Sequence, residues 1–155
     1  MPVALVEPPM DKIEYVYTFG MTDEEVRSYL EDGEVGVLSL ATDGRAYAIP
    51  VGYIFDDSSL YVRLSEEHSS KKMEFIDGTT EACFLLYDVE GSASWSIVAT
   101  GELSELEADE QAAFDPTTIN EEFRRLRIFD EDIEAVDVKI YELAVETLTG
   151  RRTEL

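Results

Sequence analysis

Between residues 34 and 106 the chain is cut into short runs by tight turn signals. "EVGVLSLAT" (34–42) and "RAYAIPVGYIF" (45–55) are separated by Asp43-Gly44, a pair that favours the positive φ angles matching strand twist. "DDSS" turns the chain into "LYVRLS" (60–65), and "EGSA" parts "EACFLLYDV" (81–89) from "SWSIVATGELSEL" (94–106). A sixth alternating run, "VDVKIYELAVETLTGRR", spans 136–152. Six strands at such spacing predict a mainly β fold: a small antiparallel barrel, closed or partly open, with short helices filling the gaps. Pro50 cannot donate to a ladder and marks an edge or a bulge, and Gly52 allows another group to come close.

The helices are signalled as plainly. In "MTDEEVRSYLEDG" (21–33) Thr22 and Glu25 have capping-box spacing, acids fill the first turn and Gly33 ends the segment. Val26, Tyr29 and Leu30 give it one apolar face. A short helix is expected at about 69–77, ending at Gly78, with further helix in "ADEQAAF" and "TTINEEFRRLRIF" on either side of Pro116. Residues 1–21 read as an extended arm in which "IEYVYTFG" has strand propensity, and 22–155 as a single domain without repeats or linkers.

Charge narrows the partners. The chain has 35 acidic against 12 basic residues, a net charge of −23, and such a surface repels nucleic acid and anionic membranes. The acids are spread through patterned segments among seven Phe, eight Tyr and one Trp, which argues against disorder. Few lysines and abundant acids resemble the proteins of salt-loving archaea, where molar salt shortens the screening length to about 3 Å. Cys83 is the single cysteine, so no intramolecular disulfide is expected, and its apolar run places it in the core. "MPVALVEPPMDK" lacks a basic n-region, and no apolar run approaches the ~20 residues of a membrane span. A cytoplasmic protein is expected.

Against this background "SSKKMEFIDG" (69–78) stands out. Of four lysines in the chain, Lys71 and Lys72 are adjacent and sit where a helix begins, the end its dipole disfavours for cations. A bound anion would reverse that sign. Free N–H groups, the hydroxyls of Ser69 and Ser70 and two ammoniums together would cradle a phosphate. Arg63 and Ser65, alternate residues of the preceding strand, share a face and add to that case. The competing reading pairs the lysines with Glu66, Glu67 or Glu74 as solvated surface. His68, the single histidine, reads as a solvent-exposed loop residue. "RRLR" (124–127) reads as salt bridging between helices or subunits, and Trp95 as a core aromatic. No metal-ligand spacing, dinucleotide fingerprint or nucleophile elbow is present.

The ordered set "GVLSLATDGRAYAIPVGYIF", "LYVRL", "SSKKMEFI", "ACFLLYD", "WSIVATGELSEL" and "LAVETLTGRR" resembles the pyridoxamine 5′-phosphate oxidase-like family of FMN-binding split barrels, most closely the small flavoproteins of salt-loving archaea. The resemblance implies a six-stranded antiparallel Greek-key split barrel that forms a homodimer with FMN in the groove between subunits. By the same resemblance Tyr47, Ala48, Ile49, Pro50 and Val51 lie along the isoalloxazine ring, and Arg63, Ser65, Ser70, Lys71 and Lys72 contact the phosphate. Trp95 and Ser96 would reach the flavin from the other subunit. The basic C-terminal segment of the pyridoxamine phosphate oxidases has no match in "GRRTEL", and the His that related nitroimidazole reductases place in the third strand has none in "YVRLS". An FMN-dependent oxidoreductase of unknown substrate is therefore expected. The alternatives are a flavin- or heme-binding protein without turnover, with His68 as the histidine available to heme, and an F420-dependent reductase. The acidic tail of F420 fits this charge less well.

Overall fold

The structure, a computed structural model, describes residues 18–66, 70–111 and 137–153. The strands are β1 (Phe19–Gly20), β2 (Val35–Thr42), β3 (Arg45–Asp56), β4 (Ser59–Glu66), β5 (Ala82–Glu90), β6 (Ala93–Glu105) and β7 (Asp137–Arg152). The helices are α1 (Asp23–Asp32), α2 (Ser70–Gly78) and α3 (Ala108–Gln111). The sheet runs β1-β7-β4-β3-β2-β5-β6, and a further β6–β7 pairing closes six of the strands into a ring. Every pairing is antiparallel. From β4 the chain passes through α2 to β5, stepping over β3 and β2 to pair with the far side of β2, which is the Greek-key step that the family resemblance implies.

Turn chemistry sets the register. Asp43 and Gly44 have φ of 52° and 73° and hold Thr42 opposite Arg45, as a two-residue hairpin with two positive φ angles requires. Asp57, also at positive φ, does the same between Asp56 and Ser59. Alternation then sorts the side chains. Leu38 and Leu40, Val62 and Leu64, and Ala82 and Phe84 point inward and are buried. Cys83, between the last two, faces out and is only half-buried, which corrects its assignment to the core. Burial still pushes its thiol up, with Glu81 adding to the rise.

β3 changes partners partway. Its first part, Arg45–Gly52, pairs with β2, whereas Tyr53–Asp56 pairs with Ser59–Val62 of β4. The remainder of β4, Arg63–Glu66, pairs with Asp137–Ile140 of β7. The barrel is therefore split between the first part of β3 and the second part of β4. Pro50 lies in an unbroken register opposite Val37, so it marks an edge, not a bulge. The bulge falls instead in β7, where Glu146 is the extra residue opposite Thr100–Gly101 of β6, and a Cβ on Gly101 would lie 1.9 Å from the carbonyl oxygen of Ala144.

α1 closes one end of the ring. Its capping box is complete: the Thr22 hydroxyl accepts from the Glu25 N–H at 3.2 Å and the Glu25 carboxylate accepts from the Thr22 N–H at 3.0 Å. Val26 and Leu30 are buried against the barrel, with Tyr29 packed beside them. Gly33 ends the helix in extended backbone, and its glycine is required by space, since a Cβ would sit 2.2 Å from the Tyr53 hydroxyl. That hydroxyl, buried, donates to the Leu30 carbonyl at 2.7 Å and so satisfies one of the carbonyls that a helix C-terminus leaves open. Burial, with Asp32 adding to it, raises the phenol's pKa.

Other expectations meet the structure unevenly. Of "IEYVYTFG", Phe19–Gly20 forms β1 against Arg151–Arg152, and residues 13–17 lie outside the described residues. So do His68, Ser69, Pro116, "TTINEEFRRLRIF" and its basic patch. Among the described residues no helix is long and apolar enough to cross a membrane.

Two stability measurements check these contacts. Tyr53→Phe leaves the Leu30 carbonyl buried without a donor and is expected to cost about 1–2 kcal/mol in denaturant unfolding; an unchanged midpoint would remove the anchoring role. Glu25 has its pKa lowered from 4.5 by the Thr22 backbone hydrogen bond first and by Arg152 as a smaller cause. A depressed carboxylate stabilises the fold above its unfolded pKa and loses that contribution as pH falls through the folded value. The stability gap between the wild type and Glu25→Gln should be present at neutral pH and close on acidification below pH 4.5. A gap that persists there would show a contribution independent of the charge.

Candidate functional site

The split leaves backbone exposed. Thr42 and Arg45 bracket a two-residue turn, so they form the hydrogen-bonded type of pair, and the types alternate from there. Arg45, Tyr47, Ile49 and Val51 thus direct their N–H and C=O groups toward β2, and the Tyr53 N–H bonded to the Glu34 carbonyl at 3.1 Å continues the series. Ala46, Ala48 and Pro50 direct theirs to the other side, where no described strand pairs with them. The missing N–H of Pro50 takes nothing from the β2 ladder. The side chains of these three residues are exposed, and two are methyl groups, so a flat polar molecule can reach the backbone edge without displacing a large side chain.

α2 begins beside this edge. The Lys71 ammonium lies 5.7 Å from the centroid of the Tyr47 ring, within cation–π range, and the same ring stacks on Phe75 at 5.2 Å. Lys71 is exposed and Lys72 half-buried. Glu74, one of the acids offered as their partner, instead bonds Arg45 at 2.6 Å, and the Arg45 guanidinium covers Phe75 at 5.1 Å. Ser70 is the first residue of α2. Arg63 and Ser65 lie across the split in β4, at the level of Ile140 and Val138 of β7. Arg63 is on the outer face, because Val62 and Leu64 point inward.

Trp95 and Ser96 lie apart from this group. They are in β6, which β2 and β5 separate from β3; three strand spacings amount to about 14 Å. Trp95 is half-buried with its ring 4.3 Å from that of Tyr29. Ser96 is in register between Tyr87 and Arg151. Within one chain, then, Tyr47–Val51 and the Lys71–Lys72 helix start come together, and Trp95 and Ser96 do not join them. The sequence reading missed Ala46 as a member of the open edge, although its position four residues before Pro50 and next to the Asp-Gly turn carried the parity needed to find it. It also missed a trio of exposed carboxylates, Glu107, Asp109 and Glu110, whose oxygens lie within 4.8 Å of one another around α3.

The fold and the open edge define a split-barrel protein with a backbone-lined site next to a lysine-bearing helix start. A profile of the pyridoxamine 5′-phosphate oxidase family matches residues 22–152, and the chain belongs to that family. No curated protein matches the sequence. Solved structures share the fold at low identity. An FAD-binding protein from Mesorhizobium loti superposes with a TM-score of 0.66 at 20% identity, covering 88% of this chain and 99% of its own. The FAD binding protein from Mycobacterium smegmatis gives 0.65 at 13%, covering 88% and 99%. The FAD and heme binding protein from Mycobacterium smegmatis gives 0.63 at 15%, covering 89% and 74%.

Proposed function

We propose that the chain binds a flavin, FMN, and serves as a flavin-dependent oxidoreductase. The observation that carries this reading is the unladdered backbone edge of Ala46–Pro50 set beside Lys71 and Lys72, in a member of this family. The edge offers N–H and C=O groups suited to the polar rim of the ring. Lys71 and Lys72, with Arg63, Ser65 and Ser70, suit a terminal phosphate, and such a monoester end favours FMN over FAD. The bound flavin would supply hydride or electron transfer, while the protein binds and orients it. That similar folds are described as FAD-binding supports a flavin and makes FAD the necessary comparison.

The site is completed by a second copy in this reading. Pro50, Val37, Leu85 and Val98 form one register row across four strands on the outer face. All four are at least partly exposed, an apolar stripe of the kind that association covers. A partner seated there would bring its Trp95 and Ser96 toward the β3 edge that they do not reach within one chain.

Visible absorption of the protein purified in molar potassium chloride, followed by titration with FMN and with FAD, tests the reading. Uptake of one FMN per chain is expected, by a species of twice the 17.5 kDa chain mass in light scattering. Replacing Lys71 and Lys72 together with Gln should weaken FMN by at least about tenfold, because charge-assisted phosphate contacts contribute roughly 1.5–3 kcal/mol each. Unchanged affinity would return the lysines to solvated surface, and no flavin uptake at all would overturn the reading.

A further inference from the structure

At the far end of β5 and β6 a second feature departs from the character of the whole chain. A cavity of about 450 Å³ opens there, and its ten lining residues include two arginines and no aspartate or glutamate, in a chain of 35 acids and 12 bases. Another open cavity, between α2 and β6, is lined by Asp77, Glu102 and Glu105 and by no base.

The arginines differ in what they hold. Arg152 is committed to Glu25, although its buried Nε has no hydrogen-bond partner among the described residues. Arg151 donates from Nε to the Thr18 hydroxyl at 2.7 Å and from Nη2 to the Thr18 carbonyl at 2.8 Å. Both acceptors are neutral. They fix the guanidinium without matching its charge, whereas Arg27 and Arg45 each face a carboxylate. Asp88, between two lining residues, turns its carboxylate to the Val89 N–H at 2.8 Å. Among the described residues no carboxylate faces Arg151, and a positive charge held in place by neutral acceptors is suited to an incoming anion.

Beside the arginines the lining combines the hydroxyls of Thr18, Ser94, Ser96 and Thr153 with a larger apolar surface. Tyr87 and Val89 are 59% and 60% exposed, and Trp95 and Leu85 line the same space. The volume is that of a small-molecule site. One unmatched guanidinium balances one negative charge. A dianion would bring a second charge into the field of a chain at −23, which favours a monoanion.

We propose that this groove binds a flat apolar or aromatic monocarboxylate, its carboxylate on Arg151 and its body against Trp95, Tyr87 and Val89, and that this is the substrate class of the protein. The substrate assignment rests on the flavin reading; the binding does not.

Isothermal titration of the full chain in molar potassium chloride, with 1-naphthoate and the neutral 1-naphthylmethanol as probes, tests it. Naphthoate is expected to bind and to perturb the fluorescence of Trp95, and naphthylmethanol to bind more weakly. Arg151→Gln should weaken naphthoate about tenfold, with Arg151→Lys recovering part of the loss. Val89→Glu, at an exposed position that the fold does not depend on, should abolish naphthoate binding. Equal binding of acid and alcohol, naphthoate affinity unchanged in Arg151→Gln, or no naphthoate binding would each overturn the proposal. Naphthoate displaced by saturating FMN would overturn the substrate assignment, since a substrate must bind beside its cofactor. Failure of the wild type to take up flavin while naphthoate binding stands would overturn the flavin reading alone.

Discussion

The switch of β3 from one partner to another is the constraint on which the rest depends. A strand of twelve residues that stayed with both neighbours throughout would close the wall and hide its backbone. Here the ladder to β2 ends at Gly52 and the ladder to β4 begins at Tyr53. One stretch of β3 is thereby held rigidly along one side and left open along the other. A rigid open edge is a better recognition element than a loop, because its donors and acceptors are ordered before anything binds. The position of Pro50 agrees with this: it stands where the β2 ladder asks for no N–H, on the side that must remain available.

Around this edge the protein handles its charge in two ways. Surface acids are met locally where a base is at hand, as between Arg45 and Glu74, Arg27 and Asp57, and Arg152 and Glu25. The exposed pairs among these, Arg45–Glu74 and Arg27–Asp57, stabilise little individually. Their effect is to occupy several of the few cations, whereas Lys71 and Arg151 have no described carboxylate beside them. The burial that holds the fold together lies elsewhere, in the two-faced strands and in the Tyr53 hydroxyl that ties α1 to the barrel wall.

Much of this was legible beforehand. The six strands of the ring, their turns, the capping box of α1 and an antiparallel barrel followed from alternation and turn chemistry, because these are local rules with strong residue preferences; the Greek-key order came from the family resemblance, and β1 adds a seventh strand. The lysine pair was legible as an anomaly of charge at a helix start. Cys83 was misplaced because an apolar run does not reveal which of its residues face out; only register against β2 and β6 decides that. The partner switch of β3 was invisible for a similar reason: it arises from where β4 diverges toward β7, a long-range matter with no local signature. The cluster around Arg151 draws on Thr18, just before β1, and on β5, β6 and β7, and no window of sequence contains it.

β7 gives the fold a temporal character. It pairs with β4 along Ser59–Glu66 and with β6 along Trp95–Glu105, and it also receives β1. It is the last described strand in chain order. Until it docks, β4 and β6 are both open edges, and most of the ring's longest-range contacts are still unmade. Closure of that kind rests on long-range pairing, which slows folding. Such edges invite pairing with other chains. A partly closed barrel carries the same net charge of −23, and at low ionic strength that charge disfavours edge-to-edge pairing between copies while β7 docks.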